Sequence, residues 1–334
     1  QLNFGTDYYN SQSMTYYNPF FGNAESVGGR IQKTNTTSLG YTFNQLLSYN
    51  RTFDRHNIDL LLGHEYYAYT TSDLSGHKTG LPGGGIYELD AAAVIVGTGS
   101  STDEDRIESV FSRIGYSYDD KYYLSGSWRT DGSSRFARST RWGNFWSVGA
   151  SWRMSQEAFM RNVRWIDELK LRVNYGVAGN QLSASYPYTN LWTIGETNGQ
   201  IGITQASTGN RNLSWERNYQ IDLGIDFRLW NRFYGTVDYY NRRTHDLIWD
   251  RPTPSSTGLA SRLENVGILA NRGFEIDLGV DILKHKDLYW NFAVNASFAR
   301  NRLIDYPSEL GNPALGGDYI SGNFLRGKGK SYYN

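Results

Sequence analysis

The stretch Phe274-Glu275-Ile276-Asp277-Leu278-Gly279-Val280-Asp281-Ile282 alternates apolar with charged or small residues without a break. Successive side chains of a β-strand point to opposite faces. A period of two therefore assigns Phe274, Ile276, Leu278, Val280 and Ile282 to one face and Glu275, Asp277 and Asp281 to the other. The pattern recurs elsewhere. Tyr219, Ile221, Leu223, Ile225, Phe227 and Leu229 alternate with Asn218, Gln220, Asp222, Gly224, Asp226 and Arg228. Leu288, Trp290, Phe292, Val294, Ala296 and Phe298 alternate with Asn291, Asn295 and Ser297, and residues 38–53 repeat the theme. Each is the signature of a half-buried strand.

Eleven such strands are predicted, over 2–9, 36–53, 57–71, 107–119, 121–131, 142–153, 168–179, 216–229, 232–249, 272–282 and 287–301. Most reach the roughly 9–11 residues that a tilted strand needs to cross a bilayer. Their connections carry more information than their lengths. Joins after the second, fourth, eighth and tenth strands are short: Asp54-Arg55-His56, Asp119-Asp120-Lys121, Trp230-Asn231-Arg232 and 283–287. Joins after the first, third, seventh and ninth are polar and long, about 20 to 40 residues. Short turns on one side and long loops on the other are the connectivity of a membrane barrel. One short-side join is longer. There Ser155 is placed to cap a brief helix, with Glu157 in its first turn and Phe159, Met160, Val163 and Ile166 at helical spacing. That helix is either an amphipathic cap under the barrel rim or an ordinary surface turn.

Composition agrees. Of 334 residues, 26 are Tyr, 15 Phe, 10 Trp and 36 Gly, with only 7 Pro and no Cys. Hydrophobic content is 39%, below the globular norm of about 45–50%, yet the wealth of aromatics argues against disorder. The lack of cysteine excludes a disulfide scaffold and a cysteine metal site. Lys plus Arg and Asp plus Glu number 33 each, so no basic surplus points to nucleic acid. The longest clean apolar run, Ala91 to Val96, is far short of a membrane helix. An outer-membrane β-barrel remains open, because its apolar residues occupy only alternate positions. Aromatics near the turns (Tyr116, Tyr118, Tyr122, Tyr123; Phe227, Trp230, Phe233; Tyr289, Trp290) and near the loops (Tyr66, Tyr67, Tyr69, Trp128, Trp142, Tyr239, Tyr240) predict two interfacial girdles.

Six stretches, in order, carry a family resemblance. They are 127–136 (SWRTDGSSRF), 146–153 (WSVGASWR), 169–181 (LKLRVNYGVAGNQ), 212–216 (NLSWE), 250–258 with Asp250-Arg251-Pro252 and Pro254-Ser255-Ser256-Thr257-Gly258, and 271–275 (NRGFE). Together they resemble the SusC/RagA group of TonB-dependent outer-membrane transporters, clearly from about Ile107 to Arg302. The resemblance implies a 22-stranded barrel closed by a plug that carries a TonB-contacting segment, and a SusD-like surface lipoprotein closing over the mouth. It also implies energised import of oligosaccharides or peptides across the outer membrane of a Gram-negative bacterium. The whole chain, 1–334, is then expected to be multi-pass barrel, with the plug, its TonB-contacting segment and the C-terminal strands outside it.

Parity places Arg129, Asp131, Arg172, Asp222, Asp226, Glu275 and Asp277 on the lumen face. It places Ile221, Leu223, Ile225, Phe274, Ile276, Leu278, Phe292 and Val294 on the lipid face. Charges are tolerated in a wet lumen, whereas Arg or Lys at mid-depth on the lipid face costs roughly 2–4 kcal/mol. Aromatic density in the loops marks Tyr186, Tyr188, Trp192, Trp215, Trp249 and Arg251 as ligand contacts, against the alternatives of loop packing or contact with the lid partner. No catalytic constellation is present: the five histidines lack metal-ligand spacing, there is no nucleophile elbow, and Gly83-Gly84-Gly85 lacks the lysine of a phosphate loop. No cofactor or metal is expected. A passive porin or structural barrel and a soluble all-β glycan protein are the rival readings. Eleven is odd, and a bacterial single-chain barrel closes on an even number. The expectation is therefore about half a barrel.

Overall fold

The structure is a computed structural model that describes residues 1–197 and 199–333. Its strands, in chain order, are β1 Leu2–Tyr17, β2 Arg30–Phe53, β3 His56–Thr79, β4 Val94–Tyr118, β5 Tyr122–Ser133, β6 Trp142–Arg153 and β7 Ile166–Asn180. There follow β8 Leu191–Thr197, β9 Gln200–Ser207, β10 Glu216–Leu229, β11 Phe233–His245, β12 Ile248–Pro252 and β13 Ser261–Asn265. The last are β14 Ile268–Lys284, β15 Tyr289–Asp305, β16 Tyr319–Ser321 and β17 Phe324–Arg326. Among the described residues eleven form one antiparallel sheet in the order β1-β2-β3-β4-β5-β6-β7-β10-β11-β14-β15. These correspond one to one with the eleven predicted strands. The pairs β8-β9, β12-β13 and β16-β17 are separate hairpins, which periodicity did not reveal. One of them divides the strand predicted over 232–249, which ends at His245.

The chain divides into two compact units, residues 1–45 with 65–108 and residues 46–64 with 109–333. In the first, the strands run longer than predicted. β1 pairs with β2 from Leu2↔Gln45 to Tyr17↔Arg30. The added length is a polar ladder rather than an apolar alternation. Asn10 bonds Thr37 at 2.9 Å, Ser38 bonds Thr71 at 2.9 Å, Ser72 bonds Thr102 at 2.9 Å, and Thr36 donates to Asp73. Such strands need no buried face, so hydropathy could not mark them. A small core of Ile31, Leu81 and Ala92 closes their far end, with Tyr16, Leu89 and Ala91 packed against it.

In the second unit the short turns follow from backbone sterics. Asp119 and Asp120 have φ of 53° and 51°, and Trp230 and Asn231 have 49° and 54°. Positive φ at both central residues is what a type I′ hairpin requires, because its twist matches the strands. Lys121 N–H donates to Tyr118 O at 3.0 Å and Arg232 N–H to Leu229 O at 3.0 Å, closing both turns. The predicted helix on the longer join is instead two 3₁₀ turns, Met154–Gln156 and Ala158–Met160. Ser155 does not cap it. It lies inside the first turn, and its hydroxyl has no hydrogen-bond partner. Glu157 is drawn away by Tyr122 and by Trp152 Nε1, the latter at 3.1 Å.

Register follows parity through most of β14 and β15. Phe274 lies opposite Phe298, Ile276 opposite Ala296, Leu278 opposite Val294 and Val280 opposite Phe292. Asp277 lies opposite Asn295 on one side and Thr236 on the other. The alternation expected to continue through Ile282 stops there. A bulge between Asp281 and Leu283 pairs Leu283 with Trp290, so Leu283 takes the apolar position.

Candidate functional site

One face of the sheet β5-β6-β7-β10-β11-β14-β15 is a set of polar rows. Ser127, Ser147, Gly176, Gln220, Arg242, Asn271 and Asn301 lie opposite one another across seven strands. The next rows carry Asn174 with Asp222, then Arg172 with Asp238 and Glu275, then Lys170 with Asp226 and Asp277. Arg172 is the hub. It binds Asp226 through two nitrogens, Nη2 at 2.7 Å and Nε at 2.9 Å, and Nη2 also reaches Asp238 at 2.9 Å. Gly224 makes this possible: a Cβ there would meet the Asp238 carboxylate and the Arg172 guanidinium. Gln220 donates to Asp222 at 2.7 Å. Arg129 Nε donates to the buried Asp131 at 2.5 Å and Nη2 to Ser109 at 2.8 Å, with the guanidinium 5.0 Å over the Phe111 ring. Near the short-turn end, buried Asp281 accepts from Tyr289 at 2.6 Å and Asn291 at 3.0 Å, and Arg228 lies at 3.4 Å.

The opposite face is apolar in the same register. Leu124, Ala150, Val173, Leu223, Tyr239, Phe274 and Phe298 form one row, and Trp152, Leu171, Ile225, Val237, Ile276 and Ala296 the next. Ile221 stands opposite Tyr175, and Trp146 meets Tyr175 edge-on at 5.6 Å. None of these side chains is buried, and many are exposed. Phe274 is 50% exposed, Leu278 44% and Phe298 64%, and Leu223, Ile225, Phe292 and Val294 are likewise open.

The six loop residues expected to meet a ligand separate into different fates. Trp215 is packed away from solvent. It is only 6% exposed, sits in a core with Phe136, Phe145, Val177 and Leu213, and gives its indole N–H to Arg141 O at 2.8 Å. Its ring packs against Phe136 and Phe145. Arg251 is held between Glu264, at 3.0 Å, and Glu309, tying the β12-β13 hairpin to the loop after β15. Hydrogen bonding to Glu309, then to Glu264, raises the Arg251 pKa. The neighbouring Arg262 and Arg251 hold Glu264 below the usual carboxylate range, and Arg251 does the same for Glu309. Tyr186, at φ 53°, and Tyr188 are half-buried in the turn before β8. Trp192 is 58% exposed, on the β8-β9 hairpin beside the exposed Ile194 and Ile203. Trp249 is half-buried, edge-on to Tyr332 at 5.9 Å and Tyr319 at 6.4 Å. These rings, with Arg326 stacked 3.9 Å over Tyr332, line a cleft of about 550 Å³.

Sequence reasoning missed Asp238, Asp281, and the Tyr319, Arg326 and Tyr332 surroundings of Trp249. Asp281 was visible in the opening alternation; its partners were not, since Tyr289 reaches it only through the bulge. Among the described residues no cluster of three metal-ligating side chains exists, and no helix is long and apolar enough to cross a membrane.

A wide antiparallel sheet with one ionic face and one uncovered apolar face defines a wall of an outer-membrane barrel. The TonB dependent receptor-like, beta-barrel family model matches residues 1–333. The chain belongs to that family, in its SusC/RagA-type branch, and its place is the outer membrane. TonB-dependent receptor P3 of Formosa agariphila is 31% identical over 281 residues, covering 82% of this chain and 28% of that protein. TonB-dependent receptor SusC of Bacteroides thetaiotaomicron is 27% identical over 315 residues, 90% of this chain and 30% of its own length. A solved structure of the RagAB peptide transporter superposes with a TM-score of 0.88 at 26% identity, covering 98% of this chain and 36% of that one. The chain thus spans about a third of the length of these relatives.

Proposed function

We propose that this chain is part of the barrel wall of a TonB-dependent importer of oligosaccharides or peptides, working with a SusD-like surface lipoprotein. The single observation behind the reading is the two-faced sheet in a chain of this family. Rows of Arg, Asp, Asn and Gln on one side suit a wet lumen, and uncovered Phe, Leu, Ile and Val on the other suit lipid. On this reading the residues of the Arg172, Arg129, Asp222, Glu275 and Asp277 rows face the lumen, and those of the Phe274, Ile276, Leu278, Leu223 and Phe292 rows face acyl chains. The barrel makes and breaks no bonds. Passage is gated by a plug, carried elsewhere in the full protein, on which TonB pulls.

Of the loop residues, Trp249 and Trp192 are the ligand contacts we retain. An aromatic face stacks on a sugar ring or a peptide side chain, and the cleft beside Trp249 lies within the usual range for a small-ligand site. Arg251 acts by holding the β12-β13 hairpin in place. Tyr186 and Tyr188 shape the turn that presents Trp192. The test is growth of a deletion strain complemented with the full gene, on oligosaccharide or on peptide as sole nutrient. Wild type restores growth on one class, an uncoupler of the proton gradient abolishes uptake, and Trp249→Ala raises the concentration needed for half-maximal uptake about tenfold. Uptake that survives the uncoupler would sink the importer reading.

A further inference from the structure

The join between β6 and β7, residues 154–165, and the β10-β11 turn meet in a patch that the polar face and the long loops do not use. Trp230 holds φ 49°, a conformation bulky side chains rarely adopt. It is kept there by Trp165: the Trp230 N–H donates to Trp165 O at 2.9 Å, and the two rings stack at 5.5 Å and 28°. Phe233 meets Trp230 edge-on at 6.3 Å, and Phe159 meets Trp152 at 6.3 Å. Phe159, Trp165, Trp230 and Phe233 are all exposed. A strained turn that displays stacked indoles outward gains nothing from burial within the protein.

The charges of the patch are lopsided. Most of its acids are engaged; among the described residues Asp120, in the same turn as Asp119, is exposed and its carboxylate has no partner. Glu157 accepts from Tyr122 and Trp152, Asp167 accepts the Asn231 N–H, and Asp119 pairs with Lys121 at 2.9 Å. Glu168 faces Arg153 at 4.0 Å. Arg161, Arg164 and Arg232 are exposed, and their guanidinium groups have no hydrogen bond or ion pair among the described residues. Arg164 adjoins Trp165 in the chain, and Arg232 lies two residues from Trp230.

We propose that this patch is a binding site for the anionic headgroup of a phospholipid in the periplasmic leaflet. The short-turn end of a bacterial barrel faces the periplasm. Guanidinium groups match phosphate oxygens in pairs. Aromatic rings settle at headgroup depth, with one edge in hydrocarbon and the other able to hydrogen-bond. Unpaired arginines beside exposed rings at that depth therefore select a negative headgroup over a zwitterionic one, and among the nearby acids Asp119 and Glu168 are offset by Lys121 and Arg153. The site is independent of which nutrient the barrel carries.

The full-length transporter, released from detergent in native mass spectrometry, is offered phosphatidylglycerol and phosphatidylethanolamine. Wild type retains phosphatidylglycerol preferentially. Arg161→Gln/Arg164→Gln/Arg232→Gln lowers that retention about tenfold and leaves phosphatidylethanolamine unchanged. The triple Lys variant keeps most of the preference. Arg211→Gln, in the loop before β10, changes nothing. High salt erodes the preference in wild type, because exposed charges are screened. Heat-modifiable migration on gels reports folding of each variant. Should the Gln variant not fold, the wild-type lipid preference and its salt dependence decide alone. Equal retention of both lipids by wild type, or undiminished phosphatidylglycerol on the folded Gln variant, overturns the proposal.

Discussion

Leu278 and Trp215 are both large apolar side chains, yet they meet water differently. Leu278 stands open on the face of β14, and Trp215 is sealed beneath the loops that join β5 to β6 and β7 to β10. The sheet builds no hydrophobic core of its own on that face; its apolar rows await a covering from outside. On the proposed reading the loops are surrounded by water and bury their own rings as a soluble domain does, Phe136, Leu213 and Trp215 packing against Phe145 of β6 and Val177 of β7. One chain thus carries two solutions to the hydrophobic effect, and the choice depends on the solvent each region meets.

The largest expected effect tests the loop half. Trp215→Ala removes a fully packed ring and should cost about 3–5 kcal/mol of local stability, read as new protease cleavage within 181–215 in the full protein. If the loops stay resistant, the core beneath them contributes little. Next, Leu278→Arg should cost about 2–4 kcal/mol in urea unfolding from vesicles, while Asn295→Arg, on the polar face opposite Asp277, stays within about 0.5 kcal/mol. Equal costs would break the contrast between the two faces. A smaller effect belongs to the Arg172 hub. Arg172→Ala strands Asp226 against Asp238 and should cost about 1–3 kcal/mol, part of it recovered by adding Asp238→Asn. An additive double variant would show the two sites to be independent.

The smallest effect is in pH. Glu264 and Glu309 have pKa values lowered by Arg262 and Arg251. A carboxylate with a folded pKa below its unfolded one contributes stability that is present above the unfolded value and lost as pH falls through the folded one. The tie between the β12-β13 hairpin and the loop after β15 should therefore be intact at neutral pH and loosen only below about pH 4. Fluorescence of Trp249, isolated by difference with Trp249→Phe, reads the change. A transition near pH 7 would assign the tie to other groups.

The strands were legible because alternation is a local property. Phe274 to Val280 declares two faces regardless of what lies beside it, and the structure pairs those residues as parity requires. Legibility failed where the pattern had no contrast or where distant residues mattered. The Thr, Ser and Asn ladders of β1 to β4 carry no apolar face, so the strands outrun the prediction. Trp215 looked like a loop aromatic until Phe136 and Phe145, far off in sequence, enclosed it. Ser155 looked like a cap because capping chemistry is local, whereas Glu157 was claimed by Tyr122 across the turn.

By itself the sequence determined the class of fold, the number of strands in the sheet, the two faces and the alternation of short and long joins. These follow from backbone pleating and turn sterics, which act over a few residues. Only the tertiary structure decided which aromatics are packed and which are displayed, which carboxylates Arg172 and Arg251 hold, and where the bulge after Asp281 reverses the parity. Those outcomes depend on register between strands and on contacts between loops. A residue's neighbours across a sheet are set by every turn before it, and no single segment contains that information.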